Sequence, residues 1–373
     1  FEARMPLSVS GAKTRKGLGR PVQAHAEVSS AKLSGITLYE PAELVIAAKA
    51  GTPVSEVVAT LAAKGQRLPF EPMDHRGLYG TLGEPTVGGI AAGNVSGPAR
   101  INLGAARDSM IGVKFVNGRG EDIVSGGRVM KNVTGLDFVK ALAGSHGTLA
   151  VFHEVCFKVL PLAEREATLV LEGLTDERAV EALSAALGSP FEPTGAAHLP
   201  AAGSTIARTI IRLEGVPASL AYRIDAMAKV WRPFGSFSVI ESGASERLWR
   251  DVRDAAPVSA GDGAVWRLSV TPSKGPAIGA TLKELGARVY YDWGGGLIWA
   301  SIAQGNDAGA PQIHAAAKAA GGYATLMRAK DPLRLAVDVF DPPAGPLMTM
   351  HKKLKASFDP AGILNPGRMY SGI

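Results

Sequence analysis

The sequence predicts an α+β chain built from two structural units, and three observations carry that expectation. Its 373 residues exceed the size at which a single hydrophobic core stops growing. Segments with strand character alternate with segments of helical periodicity. Glycine-rich loops crowd the stretch before Pro161 and thin out after it. Apolar residues make up 46% and charged residues 20%, an ordinary globular balance, so no long disordered tract is expected. No repeat or low-complexity segment is detectable.

Along the first unit, Phe1 to Val9 reads as a strand with nothing before it to pair with, so further residues are expected upstream of Phe1. A loop rich in glycine and cations follows, Ser10 to Gly19. Leu44 to Lys49 reads as a strand. Thr52 is then expected to cap a helix with Pro53 in its first turn, Val54, Val57, Val58 and Leu61 on one face, and Gly65 as terminator. Val113 to Val116, a turn at Asn117-Gly118, and Asp122 to Val124 form a hairpin pattern, and Leu149 to Leu160 reads as one long strand.

Beyond Pro161, strands such as Thr168 to Leu171 and Thr209 to Leu213 alternate with helices such as Glu177 to Leu187. Pro346 to Phe358 reads as a last helix with Leu347, Met350, Leu354 and Phe358 along one face, stopped by Asp359-Pro360 and expected to pack back on the first unit. The expected divisions are residues 1–162, 163–343 and 344–373.

Several classes of function are disfavoured. The single cysteine, Cys156, leaves no intrachain disulfide and no cysteine-clustered zinc or iron–sulfur site, so no metal site is expected and any iron–sulfur centre would belong to a partner. Nothing resembles a secretory signal, and no apolar run approaches the roughly 18 residues that span a bilayer. A cytoplasmic protein, soluble or peripheral, is the expectation. The net charge of +6 is scattered rather than gathered into a basic run with aromatics, which argues against nucleic acid and for a phosphate-bearing cofactor, an anionic substrate or an acidic partner face.

Three segments combine glycine with small hydroxyl residues: Ser10 to Gly19, Thr81 to Gly97 and Gly144 to Thr148. Each is either a tight turn or a nest of backbone amides, the arrangement a diphosphate needs because its oxygens must approach N–H groups with no Cβ in the way. Neither GxxxxGK[ST] nor GxGxxG occurs in the right setting, so a conventional ATP or NAD site is disfavoured.

The order of these motifs resembles the vanillyl-alcohol oxidase family, whose FAD-binding domain is of the PCMH type. Ser10-Gly11-Ala12-Lys13-Thr14 resembles its first phosphate loop. Thr86 to Gly97 (Thr-Val-Gly-Gly-Ile-Ala-Ala-Gly-Asn-Val-Ser-Gly) is similar to its long glycine-rich signature, with Gly104 to Asp108 following. Gly144-Ser145-His146-Gly147-Thr148-Leu149 is similar to its next FAD-contacting turn, and Phe358 to Gly367 to its C-terminal signature. Within the family, Val129 to Asp137, Asp292-Trp293-Gly294-Gly295 and Asn365-Pro366-Gly367-Arg368-Met369-Tyr370 resemble the FAD-binding E subunit of bacterial glycolate oxidase. The resemblance implies a two-subdomain FAD-binding domain, a smaller α+β cap domain, and a C-terminal segment returning to the first.

It also implies roles. The backbone amides of Gly11 to Thr14 and of Val87 to Gly89, with Gly88 between, are the expected diphosphate contacts; Lys13 either adds charge or is a solvated side chain. Gly93, Asn94, Ser96, Gly97, Arg107 and Asp108 fall at cofactor-lining positions, although Arg107 and Asp108 read equally as a structural ion pair. Gly144, Ser145, Gly147 and Thr148 are expected at the flavin or ribityl region. His146 stands where the family often has glutamate, either as a proton-handling residue or as a satisfied surface histidine. Lys131 and Asn132 either hold a flavin carbonyl or are structural. Asn365 either closes over the cofactor or is part of a plain turn. Ala12 occupies a position where some relatives have a histidine linked to flavin, so the FAD is expected to be non-covalent.

Family members that oxidise 2-hydroxy acids alone carry a His-x-Gly-Asp-Gly-Asn type of segment in the second domain, and this sequence has none; His198 and His314 are isolated. His351 remains a weak candidate beside Lys352 and Lys353. The expectation is therefore an FAD subunit of a multi-subunit glycolate dehydrogenase, working with a glycolate-oxidising flavoprotein and an iron–sulfur subunit, in the cytoplasm or held at the inner membrane through the complex. A self-sufficient FAD-dependent 2-hydroxy acid dehydrogenase and a flavin-containing scaffold are the alternatives.

Overall fold

The computed structural model describes residues 4–127, 137–305 and 307–373. They form an α+β protein that divides into two compact units. One contains the N-terminal stretch to Ser96, Gly104–Leu162 and Asp338–Ile373; the other contains Gly97–Leu103 and Ala163–Val337.

The first unit is organised around a five-stranded antiparallel sheet in the spatial order Ile36–Glu40, Val45–Lys49, Ala150–Lys158, Met110–Asn117, Asp122–Gly126. Hairpin chemistry sets one of these pairings. The Asn117 Oδ1 accepts the amides of Arg119 and Glu121 at 2.9 and 3.1 Å, and Gly120 takes a φ of +80°, which closes the turn between the last two strands. Phe115, Val155 and Phe157 fill the buried face, and Phe358 packs 5.3 Å from Phe138.

A separate parallel pair, Leu7–Ser10 with Ala26–Ser29, carries the first glycine loop between its strands. The first strand thus finds its partner downstream of it, not upstream. The C-terminal segment extends this pair: Leu7 N donates to Ile363 O at 2.7 Å and Asn365 N donates to Leu7 O at 2.9 Å.

Three local expectations are corrected. Pro53, not Thr52, is the N-cap of helix Val54–Ala62; the Thr52 hydroxyl is spent on the Gly35 amide at 2.9 Å. Val57 and Leu61 of that helix are buried while Val58 is exposed. In helix Gly345–Phe358 only the C-terminal half of the expected stripe faces inward: Phe358 is buried and Leu354 half-buried, while Leu347 and Met350 are exposed and Lys355 is buried. Lys355 shares the buried side: its Nζ reaches Asp359 Oδ2, Thr148 O and Leu364 O at 2.7, 2.7 and 2.8 Å, a buried cation with every N–H bonded.

The second unit is an eight-stranded antiparallel sheet in the order Ser238–Glu241, Arg165–Glu172, Arg208–Gly215, Gly195–Leu199, Arg288–Asp292, Leu297–Ile302, Ala264–Ser269, Tyr323–Arg328. Helices Asp176–Leu187 and Pro217–Trp231 bury Leu183, Met227 and Trp231 with Leu169, Ile211 and Leu213 of the sheet. The Trp231 indole N–H finds Ala182 O at 2.9 Å, so this aromatic is buried without an orphaned donor. His198 is likewise built into this unit: it is fully buried, with Nδ1 3.0 Å from Thr209 Oγ1 and Nε2 3.4 Å from Asp176 Oδ1.

Candidate functional site

The first unit contains a cavity of about 480 Å³, within the ~300–1,000 Å³ range of small-molecule sites. Its walls come from the loop after the first strand, the turn into helix Val87–Ala92, the turn before strand Ala150–Lys158, and Arg368. Ser10, Gly11, Ala12, Lys13, Thr14, Thr86, Gly88, Gly89, Gly93 and Gly147 of the expected residues all line it. So does His146.

The first loop has the chemistry of an anion nest. Among the described residues no protein acceptor takes up the backbone amides of Gly11, Ala12, Lys13 or Thr14. Gly11 cannot carry a side chain there, because a Cβ would lie 2.5 Å from Thr86 Oγ1. Lys13 sits at a φ of +62° and pairs with Glu27 Oε2 at 2.7 Å, both side chains largely exposed.

The second loop behaves differently, and corrects the expected role of its amides. Val87 N donates to Thr52 O at 3.0 Å, Gly88 N to Ala50 O at 2.8 Å and Gly89 N to Thr86 Oγ1 at 3.3 Å. These three amides are already engaged. The glycines serve close approach instead: a Cβ on Gly88 would meet the Ala50 Cβ at 2.7 Å and its carbonyl oxygen at 2.9 Å. Thr86 and Gly88 thereby fix the cavity wall against the strand Val45–Lys49 and its end.

Asn94, Ser96, Arg107 and Asp108 do not line the cavity. Asn94 Oδ1 accepts the Arg107 amide at 2.8 Å, Ser96 Oγ accepts the Ala106 amide at 3.0 Å, and Asp108 Oδ2 accepts the Ala105 amide at 2.9 Å. Together they brace the start of helix Ala106–Ser109. Arg107 and Asp108 approach to 3.7 Å with both side chains exposed, the structural pair. Gly97 groups with the second unit, where its carbonyl accepts the Trp293 indole N–H at 3.2 Å. Arg100 and Arg267 flank that indole at 4.8 and 5.0 Å, which explains the Asp292-Trp293 string structurally. Lys131 and Asn132 lie outside the described residues.

The turn Gly144 to Thr148 depends on left-handed backbone at Gly144, His146 and Gly147, with φ of +87°, +52° and +72°. It is held by His146 N to Ala92 O at 2.9 Å and by Thr148 Oγ1 to Ser145 O at 2.7 Å. His146 is not a surface histidine. Its ring lies on the cavity wall, 5.1 Å from Phe340, and burial followed by the guanidiniums of Arg368 and Arg15 pushes it down to about 3. It is neutral at physiological pH.

Asn365 is fully buried and does not close over the cavity. Its Oδ1 accepts the Val9 amide at 2.8 Å and its Nδ2 donates to His146 O at 2.9 Å, tying the C-terminal segment to two cavity loops. His351 is off the cavity, 5.9 Å from Tyr370.

Two residues escaped the sequence reading. Arg15 and Arg368 both line the cavity, and Arg15 Nη2 donates to the Gly89 carbonyl. The signal was their position, one step beyond the first loop and one step beyond Asn365-Pro366-Gly367, each next to a segment already singled out. Among the described residues around the cavity, Lys13, Arg15, Lys16 and Arg368 stand against a single carboxylate, Glu27. A cationic cavity with a nest of open amides suits a dianionic dinucleotide cofactor, and the residues present fit FAD.

The fold and the site thus define a flavin-binding protein of the α+β class, and comparison with known proteins agrees. A family model described as an FAD binding domain matches residues 2–125. Over 373 aligned residues, 99% of this chain and 94% of the other, the sequence is 34% identical to the glycolate oxidase subunit GlcE of Escherichia coli K12. The chain belongs to that family of FAD-binding oxidoreductases, and its cofactor is FAD. Among solved structures, the 4-ethylphenol oxidase of Gulosibacter chungangensis superposes with a TM-score of 0.74 at 12% identity, covering 98% of this chain and 85% of that one. p-Cresol methylhydroxylase gives 0.68 at 13% identity, covering 98% and 84%. At such identities the likeness concerns the fold. No helix among the described residues is long and apolar enough to cross a membrane.

Proposed function

We propose that this chain is the FAD-holding subunit of a multi-subunit dehydrogenase that oxidises glycolate, a small 2-hydroxy acid, to glyoxylate. The observation that carries the reading is the full-length similarity to the E. coli glycolate oxidase subunit, joined to a cationic cavity with open amides in the matching unit. Within that cavity Gly11 to Thr14 receive the diphosphate, Thr86 and Gly88 shape the wall, and Gly147 and His146 line it further. Bound flavin supplies two-electron acceptance and one-electron release.

A partner flavoprotein carries the substrate chemistry in this reading, and an iron–sulfur subunit takes the electrons onward; the complex works in the cytoplasm or against the inner membrane. Support comes from the histidines. Oxidising a 2-hydroxy acid needs a base for the hydroxyl proton. His146, pushed down to about 3 by burial and two guanidiniums, is too weak a base to hold that proton, and His198 is consumed by Thr209 and Asp176 inside the second unit. Burial opposes charging Asp176, yet bonds from His198, Lys283 and Tyr291 hold its carboxyl well below the usual range, so it is spent as a structural anion.

The test is purification of the chain alone and together with its co-expressed partners. The expected result is a yellow protein whose glycolate-dependent dye reduction is slight alone and full in the complex. Full activity of the isolated chain, with anaerobic bleaching of its flavin by glycolate, contradicts the division of labour.

A further inference from the structure

Helix Gly345–Phe358 carries an apolar stripe longer than the surface that covers it. Leu347, Met350, Leu354 and Phe358 recur at spacings of three, four and four residues, so they share one face. At its C-terminal end that face is inward, with Phe358 buried and Leu354 half-buried. At its N-terminal end the same face is bare, Leu347 being 48% and Met350 64% exposed. A helix that runs out into water ordinarily turns polar there; this one stays apolar, the mark of a surface that meets a partner. Two further observations describe that face. A row of ring contacts links it to the cofactor cavity: His146, on the cavity wall, lies 5.1 Å from Phe340, Phe340 6.5 Å from Tyr370, and Tyr370 5.9 Å from His351, the neighbour of Met350. The face also has a sign. Lys352 and Lys353 border it, both exposed and neither paired with a carboxylate among the described residues, and the helix itself contains no acidic residue.

We infer that this face docks the electron-accepting iron–sulfur subunit of the complex, with Leu347 and Met350 entering an apolar socket whose rim is acidic. The inference rests on the multi-subunit reading given above and names the surface that serves it. Electron transfer slows steeply with distance, so an electron-accepting partner has to sit near the flavin site, and this face leads back to the cavity wall through packed rings. A cluster held by four cysteine thiolates is anionic, which suits a cationic rim. A second copy of this chain fits less well, because a symmetric contact would set the lysines of one copy against those of the other. A bilayer also fits less well, since two exposed apolar side chains fall short of the long apolar face that an interfacial helix lays into lipid.

The test purifies the full chain through a tag after co-expression with the flavoprotein and iron–sulfur subunits, and measures the iron and the subunits retained per chain. For Leu347→Asp/Met350→Asp, retention of the iron–sulfur subunit is expected to fall about 10-fold or more. The melting temperature and FAD content of the variant chain purified alone are expected to match the parent's, both side chains being exposed. Lys352→Glu/Lys353→Glu is expected to lower retention at low salt, with the difference shrinking as salt rises. Parent-like iron retention by a folded Leu347→Asp/Met350→Asp chain overturns the inference, as does loss of the flavoprotein subunit with iron retained. It is overturned too if the aspartates leave subunit retention unchanged and instead turn a dimeric chain monomeric, or abolish binding to phosphatidylglycerol vesicles. Should the aspartate variant fail to fold, the lysine variant decides by the same criteria. A parent chain that retains neither subunit contradicts the multi-subunit reading itself, a separate and recognisable failure.

Discussion

Asn365 Nδ2 donates to the backbone carbonyl of His146 at 2.9 Å, across 219 residues of sequence, while its Oδ1 accepts the Val9 amide at 2.8 Å. One buried carboxamide therefore joins the strand entering the first loop to the turn that carries His146. Asn365→Ala leaves a buried donor and acceptor unpaired, each worth about 1–3 kcal/mol. The expected outcome is a loss of that order in urea denaturation together with weaker FAD binding; unchanged stability would mean that solvent replaces both bonds.

Gly147 lies against that carboxamide. Its φ of +72° suits glycine, and a Cβ would stand 2.8 Å from Asn365 Nδ2 and 3.3 Å from Val9 Cβ. Gly147→Ala is expected to cost about 1–3 kcal/mol from strain and displacement, measured as a lower melting temperature, with a reduced FAD affinity. A variant as stable as the parent and binding FAD equally would show that the turn tolerates a side chain.

Acid should destabilise the flavin-free protein through His146. Its folded value of about 3 lies below the ordinary 6.5, so the unfolded chain binds the extra proton between those values. The contribution is whole above about pH 6.5 and is lost progressively as pH falls toward 3. His146→Gln removes this term. Its melting temperature, relative to the parent's, should improve between pH 7 and pH 4, and parallel pH profiles for the two proteins would contradict the assignment.

Lys355 and Asp359 make the opposite kind of contribution. Their side chains meet at 2.7 Å and are 9% and 0% exposed, and Asp359 also accepts the Ile363 and Leu364 amides at 3.0 and 2.7 Å. Lys355→Met strands a buried carboxylate and should cost about 3–5 kcal/mol in chemical denaturation. A loss below about 1 kcal/mol would indicate an exposed pair instead.

What the sequence revealed was local. The hairpin at Asn117-Gly118 was legible because its turn chemistry lies within five residues, and most of the helix Asp176–Leu187 because its apolar spacing is regular. Engagement at a distance was hidden. Nothing near Val87 or Gly88 announces that Thr52 and Ala50 consume their amides, and Arg15 depends on a carbonyl 74 residues away. The stripe of the last helix misled only in its first half, where Leu347 and Met350 are exposed, and nothing in its periodicity announced that Lys355 is buried against Asp359. The glycine loops meet at one cavity, and the division of work among them became visible only in three dimensions.

The most direct measurement is a titration of the folded, flavin-stripped chain with FAD, followed by fluorescence quenching and checked by the absorbance spectrum of the reconstituted protein. Saturable binding of one FAD per chain, weakened by salt as the cationic lining of Arg15, Lys16 and Arg368 requires, is the expected result. A folded protein that stays colourless and takes up no FAD would contradict it.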